Sequence, residues 1–502
     1  MTDSVRVYRP VQAPIAAPVR ARPVRLLGWL AGSGIGGAIV IMIGASLVRQ
    51  DWMYPRLQMP ATGPPFELPV QVSGNVVSVA LWVAALLAAG GVIAGLVAAR
   101  RGAPGPVRLI LIAAAVTVAV LAVLPPAGST DALDYAAYGR LALLGHNPYV
   151  ASPLYLRLTE PVFGMSVPVH WDRQVSLYGP AATIEQYVAA KLGGTSMARV
   201  VLWLKLWNAL AFGAVAVIID RVLRSKPAAR LRAHLLWTIN PLLLWDLIAA
   251  GHMDVIAAGA GMAGLLVVGR LPAGQQPRLG RAVAAGALIG LAADLKIDYV
   301  LFGIGLAWAL RRSVPALLAA AAGALAILGP TYAWLGKPAI MALIARRDKT
   351  TQDSFYRLAE LTNWHYLGLT AGLLLAALAA LLLWRLPPGA ALRPAIRPAL
   401  ALSLAWLVVW PYQLPWYDAM LICVLVFYPA SRLDWLVLAR LTGATIANMP
   451  GNASGVPGRT LKPFDAGLVH GLGPAVLLAV GLGVVALAVS GRWGMDPADP
   501  LR

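Results

Sequence analysis

GNVVSVALWVAALLAAGGVIAGLVA, residues 74–98, runs without a charged side chain and is followed at once by Arg100 and Arg101. A helix of about 20 apolar residues matches the roughly 30 Å hydrocarbon core of a bilayer, so this stretch reads as a membrane span. A closed barrel is the other way to satisfy every backbone group in lipid, but nothing in the chain alternates with period two. Similar runs follow outward in both directions at 26–48, 107–124, 199–222, 233–249, 254–269, 314–334, 365–384 and 466–490. Residues 282–310 and 398–430 each read as two short helices meeting at a polar break, DLKID (294–298) and WPYQLPWYD (410–418), and 433–447 reads as a further crossing. With 502 residues, 59% hydrophobic and only 12% charged, the chain has little room for a separate soluble domain. The fold class is an all-α polytopic integral membrane protein with about 11–14 transmembrane helices and long extracytoplasmic loops.

The formal net charge is +20. In a soluble protein that balance points to nucleic acid, but here the basic residues sit in short loops between apolar spans, as the positive-inside rule requires. No nucleic-acid partner is expected. Cys423 is the single cysteine and lies in an apolar run, which excludes an internal disulfide framework and a cysteine-based zinc site. Arg6, Arg9, Arg20, Arg22 and Arg25 stand among prolines, and the following apolar stretch is too long for a signal-peptide core. The expected organisation is a cytoplasmic tail (1–25), one transmembrane domain (26–490) and a cytoplasmic C-terminal tail (491–502).

Alternation from that tail places Arg100, Arg101 and Arg108 inside, then Arg221, Arg224, Lys226, Arg230 and Arg232, then Arg270, Arg278 and Arg281. Arg311, Arg312, Arg385, Arg393 and Arg397 follow on the same side if both broken segments are hairpins. Two long loops, 125–198 and 335–364, then face outward. The first is nearly balanced in charge and rich in Tyr, Pro and His; within it AATIEQYVAAKLGG (181–194) is expected to lie as an amphipathic helix on the outer surface.

Charge is costly in a bilayer unless it faces a polar cavity. Asp246, His252 and Asp254, then Asp294, Lys296 and Asp298, then Asp418, together with Lys205, Asp131 and Asp134, all fall at outward ends of spans. Only Asp220 and Asp434 are acids at inner ends. Helix ends reaching headgroups account for single residues; the clustering points to a cavity open to the outer leaflet.

STDALDYAAYGRLALLGHNPY (129–149) and SLYGP (176–180) resemble the first outer loop of GT-C glycosyltransferases that use polyprenyl-phosphate sugars. The chain is most similar to the polyprenol-phosphate-mannose-dependent α-1,6-mannosyltransferases of actinobacterial lipomannan assembly. NPLLLWDLIAAGHMD (240–254), GALIGLAADLKIDY (286–299) and PYQLPWYD (411–418) agree in order, with Met253 where the family pattern has Asn, Asp246 where it has Glu, and a second acid in DLKID. The resemblance implies a GT-C-type fold and transfer of mannose from a polyprenyl-phosphate donor to a lipid-linked, lipomannan-like glycan. It implies a multi-pass plasma-membrane enzyme, surrounded by membrane lipids, with an extracytoplasmic active site. Another polyprenyl-phosphate sugar is one alternative donor, and a lipid-linked saccharide flippase is the alternative of a different class.

By position in the resemblance Asp131 is the general base, with Asp134 one helical turn on as its partner; the alternative for Asp131 is a helix N-cap. Lys296 and Arg140 are the cations for the donor phosphate, Lys296 having as its alternative a buried pair with Asp294 or Asp298. Tyr135, Tyr178, Asp246, His252, Asp254, Trp416 and Tyr417 are the candidate substrate contacts, against which stands the use of Trp and Tyr as membrane-boundary anchors. No cofactor is expected, since a lone His–Asp pair such as His252 and Asp254 is a poor metal signature.

Overall fold

The computed structural model describes residues 21–494 apart from 50, 104, 170, 270–277, 346–348, 353, 362–364, 389–393 and 450–460. Most of both expected tails, with Arg270 and Arg393, lies outside the described residues. Each apolar segment read from the sequence is helical. Among the described residues, six helices are long and apolar enough to cross a membrane alone: Val24–Leu47, Gly74–Arg100, Met197–Leu223, Val314–Leu335, Leu367–Arg385 and Lys462–Ser490. The pair Pro227–Ala249 and Asp254–Val267 qualifies together but is bent by 116°. Val107–Ala122, Ile297–Leu310, Ile396–Val409 and Pro415–Leu425 are shorter apolar helices, so the expected count of about 11–14 is reached only if such short helices are taken as crossings.

The interruptions have local causes. Pro241 brings no N–H and starts a new helical turn, while Asn240, extended at φ −68° and ψ 111°, accepts from Leu242 N at 3.2 Å and donates to Leu236 O at 3.1 Å. Widened π-turns flank it at His234–Thr238 and Leu244–Ala249. Leu279–Leu295 stops because Lys296 is extended (φ −148°, ψ 115°). Ile396–Val409 stops before Pro411, and Pro415 opens the short turn that precedes Asp418–Leu425.

Helices meet through small residues, as packing in lipid requires when apolar burial gives no advantage over lipid tails. Leu279–Leu295 and Val314–Leu335 approach so closely that a Cβ at Gly286 would stand 1.9 Å from Ala320 O, and one at Gly323 2.1 Å from Val283 O.

At the basic end several arginines are structural. Asp434, fully buried, accepts from Arg232 Nε at 2.8 Å and Nη2 at 2.5 Å, and from Arg100 Nη2 at 3.0 Å. Arg232 also donates to Tyr428 O at 2.9 Å. Asp220 takes Arg230 at 2.6 Å and His234 Nε2 at 3.1 Å. Read from the sequence as loop charges, Arg100, Arg230 and Arg232 also hold the ends of helices together, because Asp434 and Asp220 need counter-ions.

The segment between the first two spans carries a feature with no counterpart in the sequence reading. Val48–Arg49 pairs in parallel with Leu68–Gln71, beside a partly buried ion network of Arg49, Asp51, Arg56 and Glu67.

Replacing Gly286 by Ala is expected to push its helix off Ala320 and cost about 1–3 kcal/mol, the usual range for overpacking. Gly280→Ala, where a Cβ meets nothing within 4 Å, is the control. Thermal unfolding of purified protein in detergent checks this; equal midpoints for the two variants would contradict the close helix contact.

Candidate active site

The helix Asp131–Leu143 opens where the chain leaves Val107–Ala122. The connecting loop is anchored twice: Ala127 N donates to Ala249 O at 3.0 Å, and the buried Lys205 Nζ donates to Leu124 O at 2.7 Å and Pro125 O at 3.3 Å. Thr130 is the helix N-cap and makes no side-chain cap bond; Asp131 is the first helical residue, its N–H donating to Ser129 Oγ at 3.2 Å. The Asp131 carboxylate is therefore released from capping and turns to other partners. Tyr135 Oη donates to its Oδ2 at 3.5 Å, and His252 Nδ1 lies 3.6 Å from the same oxygen.

His252 reaches that position because Gly251 takes a left-handed conformation (φ +81°) and passes close to the helix start; a Cβ there would lie 3.2 Å from both Ala132 Cβ and Lys205 Cγ. The His252 ring stacks on Trp416 with centroids 3.6 Å apart and 15° between planes. Its Nδ1 is 3.3 Å from Tyr135 Oη, and Tyr178 Oη donates to Tyr135 Oη at 3.4 Å. Tyr178 is delivered by the close seating of Gly179 on the end of Leu279–Leu295, where a Cβ would meet Asp294 O at 1.8 Å.

Lys296 forms a buried ion pair with Asp254, and its Nζ lies 3.6 Å from the centroid of the Tyr417 ring. Tyr299 Oη donates to Asp254 O at 3.2 Å. Lys296 and Asp254 both lie within electrostatic range of Asp131. The structure thus brings together Asp131, Tyr135, Tyr178, His252, Asp254, Lys296, Trp416 and Tyr417. Lys296 thus takes an ion-pair partner from another helix, Asp254. Trp416 and Tyr417 are buried, 3% and 5% exposed, which corrects the boundary-anchor alternative.

Three candidates go elsewhere. Arg140 is two and a half turns beyond Asp131, where its Nε and Nη2 each donate to Glu160 at 2.8 Å; that bidentate pair occupies the fork expected for a phosphate. Asp134 is enclosed, and burial first, with Asp131 and Asp172 adding to it, holds its carboxyl well above the usual range. Asp246 accepts from Thr445 Oγ1 at 2.8 Å with Asp418 in electrostatic range, and sits behind the site.

The expected surface helix is Pro180–Gly193. Its Ala182, Gln186, Ala189 and Ala190 pack inward against Asp131–Leu143 and Met197–Leu223, and only Ile184, Val188 and Leu192 present an exposed apolar stripe. Among the described residues no group of three or more His, Cys, Asp and Glu side chains is placed to hold a metal ion. Sequence reading passed over Ser129, Tyr299, Gln413 and Arg440. For Arg440 the signal was present: it is a lone cation inside the apolar run 433–447.

Asp131 retains 19% side-chain exposure, yet burial lifts its pKa to about 6 against the opposing pull of Lys296 and the Ser129 hydrogen bond.

Residues 29–312, more than half of the chain, match the family model for the N-terminal domain of alpha-(1->6)-mannopyranosyltransferase. A probable alpha-(1->6)-mannopyranosyltransferase of Mycolicibacterium smegmatis is 31% identical over 165 residues, which is 33% of this chain and 29% of that protein's length. The crystal structure of ArnT from Cupriavidus metallidurans bound to undecaprenyl phosphate superposes with a TM-score of 0.42 at 18% identity, covering 77% of each chain.

Carboxyl titration by 13C NMR or difference infrared spectroscopy, assigned with Asp131→Asn, is expected to give Asp131 a midpoint near 6. In Lys296→Met the midpoint moves upward, since a cation that favours the ionised form is removed. A midpoint near 4 in both proteins would mean that Asp131 is fully hydrated.

Proposed function

Because the chain belongs to the alpha-(1->6)-mannopyranosyltransferase family, we propose that it is a GT-C-type membrane glycosyltransferase. It transfers mannose from a polyprenyl-phosphate donor to a lipid-linked, lipomannan-like glycan at the extracytoplasmic face. The observation that carries this reading is the meeting of the Asp131 carboxylate with His252 at 3.6 Å beside the Lys296–Asp254 pair, over a floor of Trp416 and Tyr417.

In this reading Asp131 takes the proton of the acceptor hydroxyl as its oxygen attacks the anomeric carbon of the donor mannose. The carbon–oxygen bond to the acceptor forms, the carbon–oxygen bond to the phosphate breaks, and polyprenyl phosphate leaves with the electron pair. Displacement inverts the anomeric carbon, so a β-linked donor gives an α-linked product. A base whose pKa lies about one unit below neutrality is ionised at pH 7 and still a competent proton acceptor. Lys296 supplies positive charge for the departing phosphate; Asp254 shares that ammonium and fixes its position. Trp416 and Tyr417 offer aromatic faces to the sugar ring, and Tyr135, Tyr178 and His252 form the hydrogen-bonding line that keeps Asp131 oriented.

Purified enzyme in detergent, given polyprenyl-phosphomannose and a mannan acceptor, is expected to form α-1,6 linkages. Asp131→Asn should lower transfer by about 10²–10⁴-fold without loss of expression. Near-normal turnover by that variant would sink the base assignment. The sign of the pH dependence is fixed: below about pH 6 Asp131 takes up a proton, so kcat/KM falls as pH is lowered through that value. In Lys296→Met the same acid limb shifts to higher pH; an acid limb unmoved in that variant would separate Lys296 from Asp131.

A further inference from the structure

Arg440 is 1% exposed and hydrogen-bonds three separate pieces of chain. Its Nε donates to Leu407 O at 3.3 Å, at the end of Ile396–Val409. Nη2 donates to Gln413 Oε1 at 2.9 Å, and Nη1 is paired with Asp418 Oδ2. Gln413 and Asp418 are themselves 4% and 0% exposed, and Gln413 Nε2 donates on to Trp406 O at 3.4 Å. Between Gln413 and Asp418 lie only Leu414, Pro415, Trp416 and Tyr417. One planar guanidinium therefore grips both ends of the turn whose two aromatic residues stack on His252 and face Lys296. Asp246, which accepts from Thr445 Oγ1 at 2.8 Å, lies within electrostatic range of Asp418.

We propose that Arg440 is a positioning residue for the active site, clamping Gln413 and Asp418 so that Trp416 and Tyr417 are held against His252 and Lys296. The fork geometry matters: five donors in a rigid plane serve both ends of the turn at once, whereas a lysine is a point charge on a flexible stem and serves one. Arg440→Lys keeps the charge opposite Asp418 and gives up the grip on Gln413. The kinetic part of this inference rests on the glycosyl-transfer reading; the placement of the ring does not.

The experiment uses the full-length protein labelled with 5-fluorotryptophan, the 19F resonance of position 416 being assigned by Trp416→Phe. In Arg440→Lys that resonance is expected to shift or split while most other tryptophan signals stay in place; an unmoved Trp416 signal overturns the proposal. Transfer is then read in a double-mutant cycle. Arg440→Lys alone should lower kcat/KM by about 10²-fold, the scale of a small misplacement of reacting groups. In a Trp416→Ala background the same change should cost less than about threefold, because the ring that it positions is gone. An equal loss in both backgrounds means a general structural role and overturns the proposal. If Arg440→Lys fails to accumulate in membranes, Gln413→Met, which removes only one arm of the clamp, is carried through both measurements with the same expected outcomes. Absence of transfer by the wild-type protein would sink the functional reading alone, since the 19F measurement decides the clamp without any turnover.

Discussion

A charge taken out of water must be met by an opposite charge or by hydrogen bonds, and the buried pair of Lys296 with Asp254 is where that demand organises the molecule. Lys296 ends one interrupted helix and Asp254 begins another, so neither can be buried until the two breaks face each other. Once they do, Tyr417 has a cation to lie against and His252, two residues before Asp254, has Trp416 to stack on. That recruits the third break. The helix beginning at Asp131 is then locked beside His252 by the passage of Gly251 and by Lys205 on the loop carbonyls. The site is thus the meeting point of three interrupted helices and one loop helix, each brought there by a polar group that lipid will not accept.

The same demand works at the opposite end with a different outcome. Asp434 collects Arg232 and Arg100, and Asp220 collects Arg230 and His234. These pairs fasten helix ends to one another, a mechanical use of buried charge. A net charge of +20 therefore merges two populations, cations in the loops between spans and buried cations that bind helices.

What was legible in the sequence follows from how local each constraint is. Bilayer thickness acts on consecutive residues, so the apolar runs disclosed the spans directly. The breaks at DLKID and WPYQLPWYD were legible because proline and clustered charge are local signals. Long-range pairing was not: Lys296 pairs with Asp254, 42 residues away on another helix, and nothing local to DLKID announces it. Arg140 illustrates the same limit. In the sequence it is a cation in the loop of interest, as Lys296 is a cation at a break, and only the helical path from Asp131 toward Glu160 sends it away. Arg440 was visible as a charge in an apolar run, but its role depends on a turn 22 residues earlier that no periodicity connects to it.

In the proposed reaction, the surroundings of Asp254 and Asp131 fit them for different parts. Asp254 is 1% exposed and directly paired with Lys296, so proton uptake there would leave a buried ammonium without its counter-ion. Asp131 is more exposed, is contacted by a tyrosine hydroxyl and an imidazole nitrogen, and feels Lys296 only at a distance. Protonating it leaves no ion stranded. On the proposed mechanism the two acids divide the work by their surroundings: Asp254 pairs with the cation, and that cation's field opposes the effect of burial on Asp131. The proposed base can serve in so apolar a setting because another carboxylate, Asp254, has already secured the positive charge beside it.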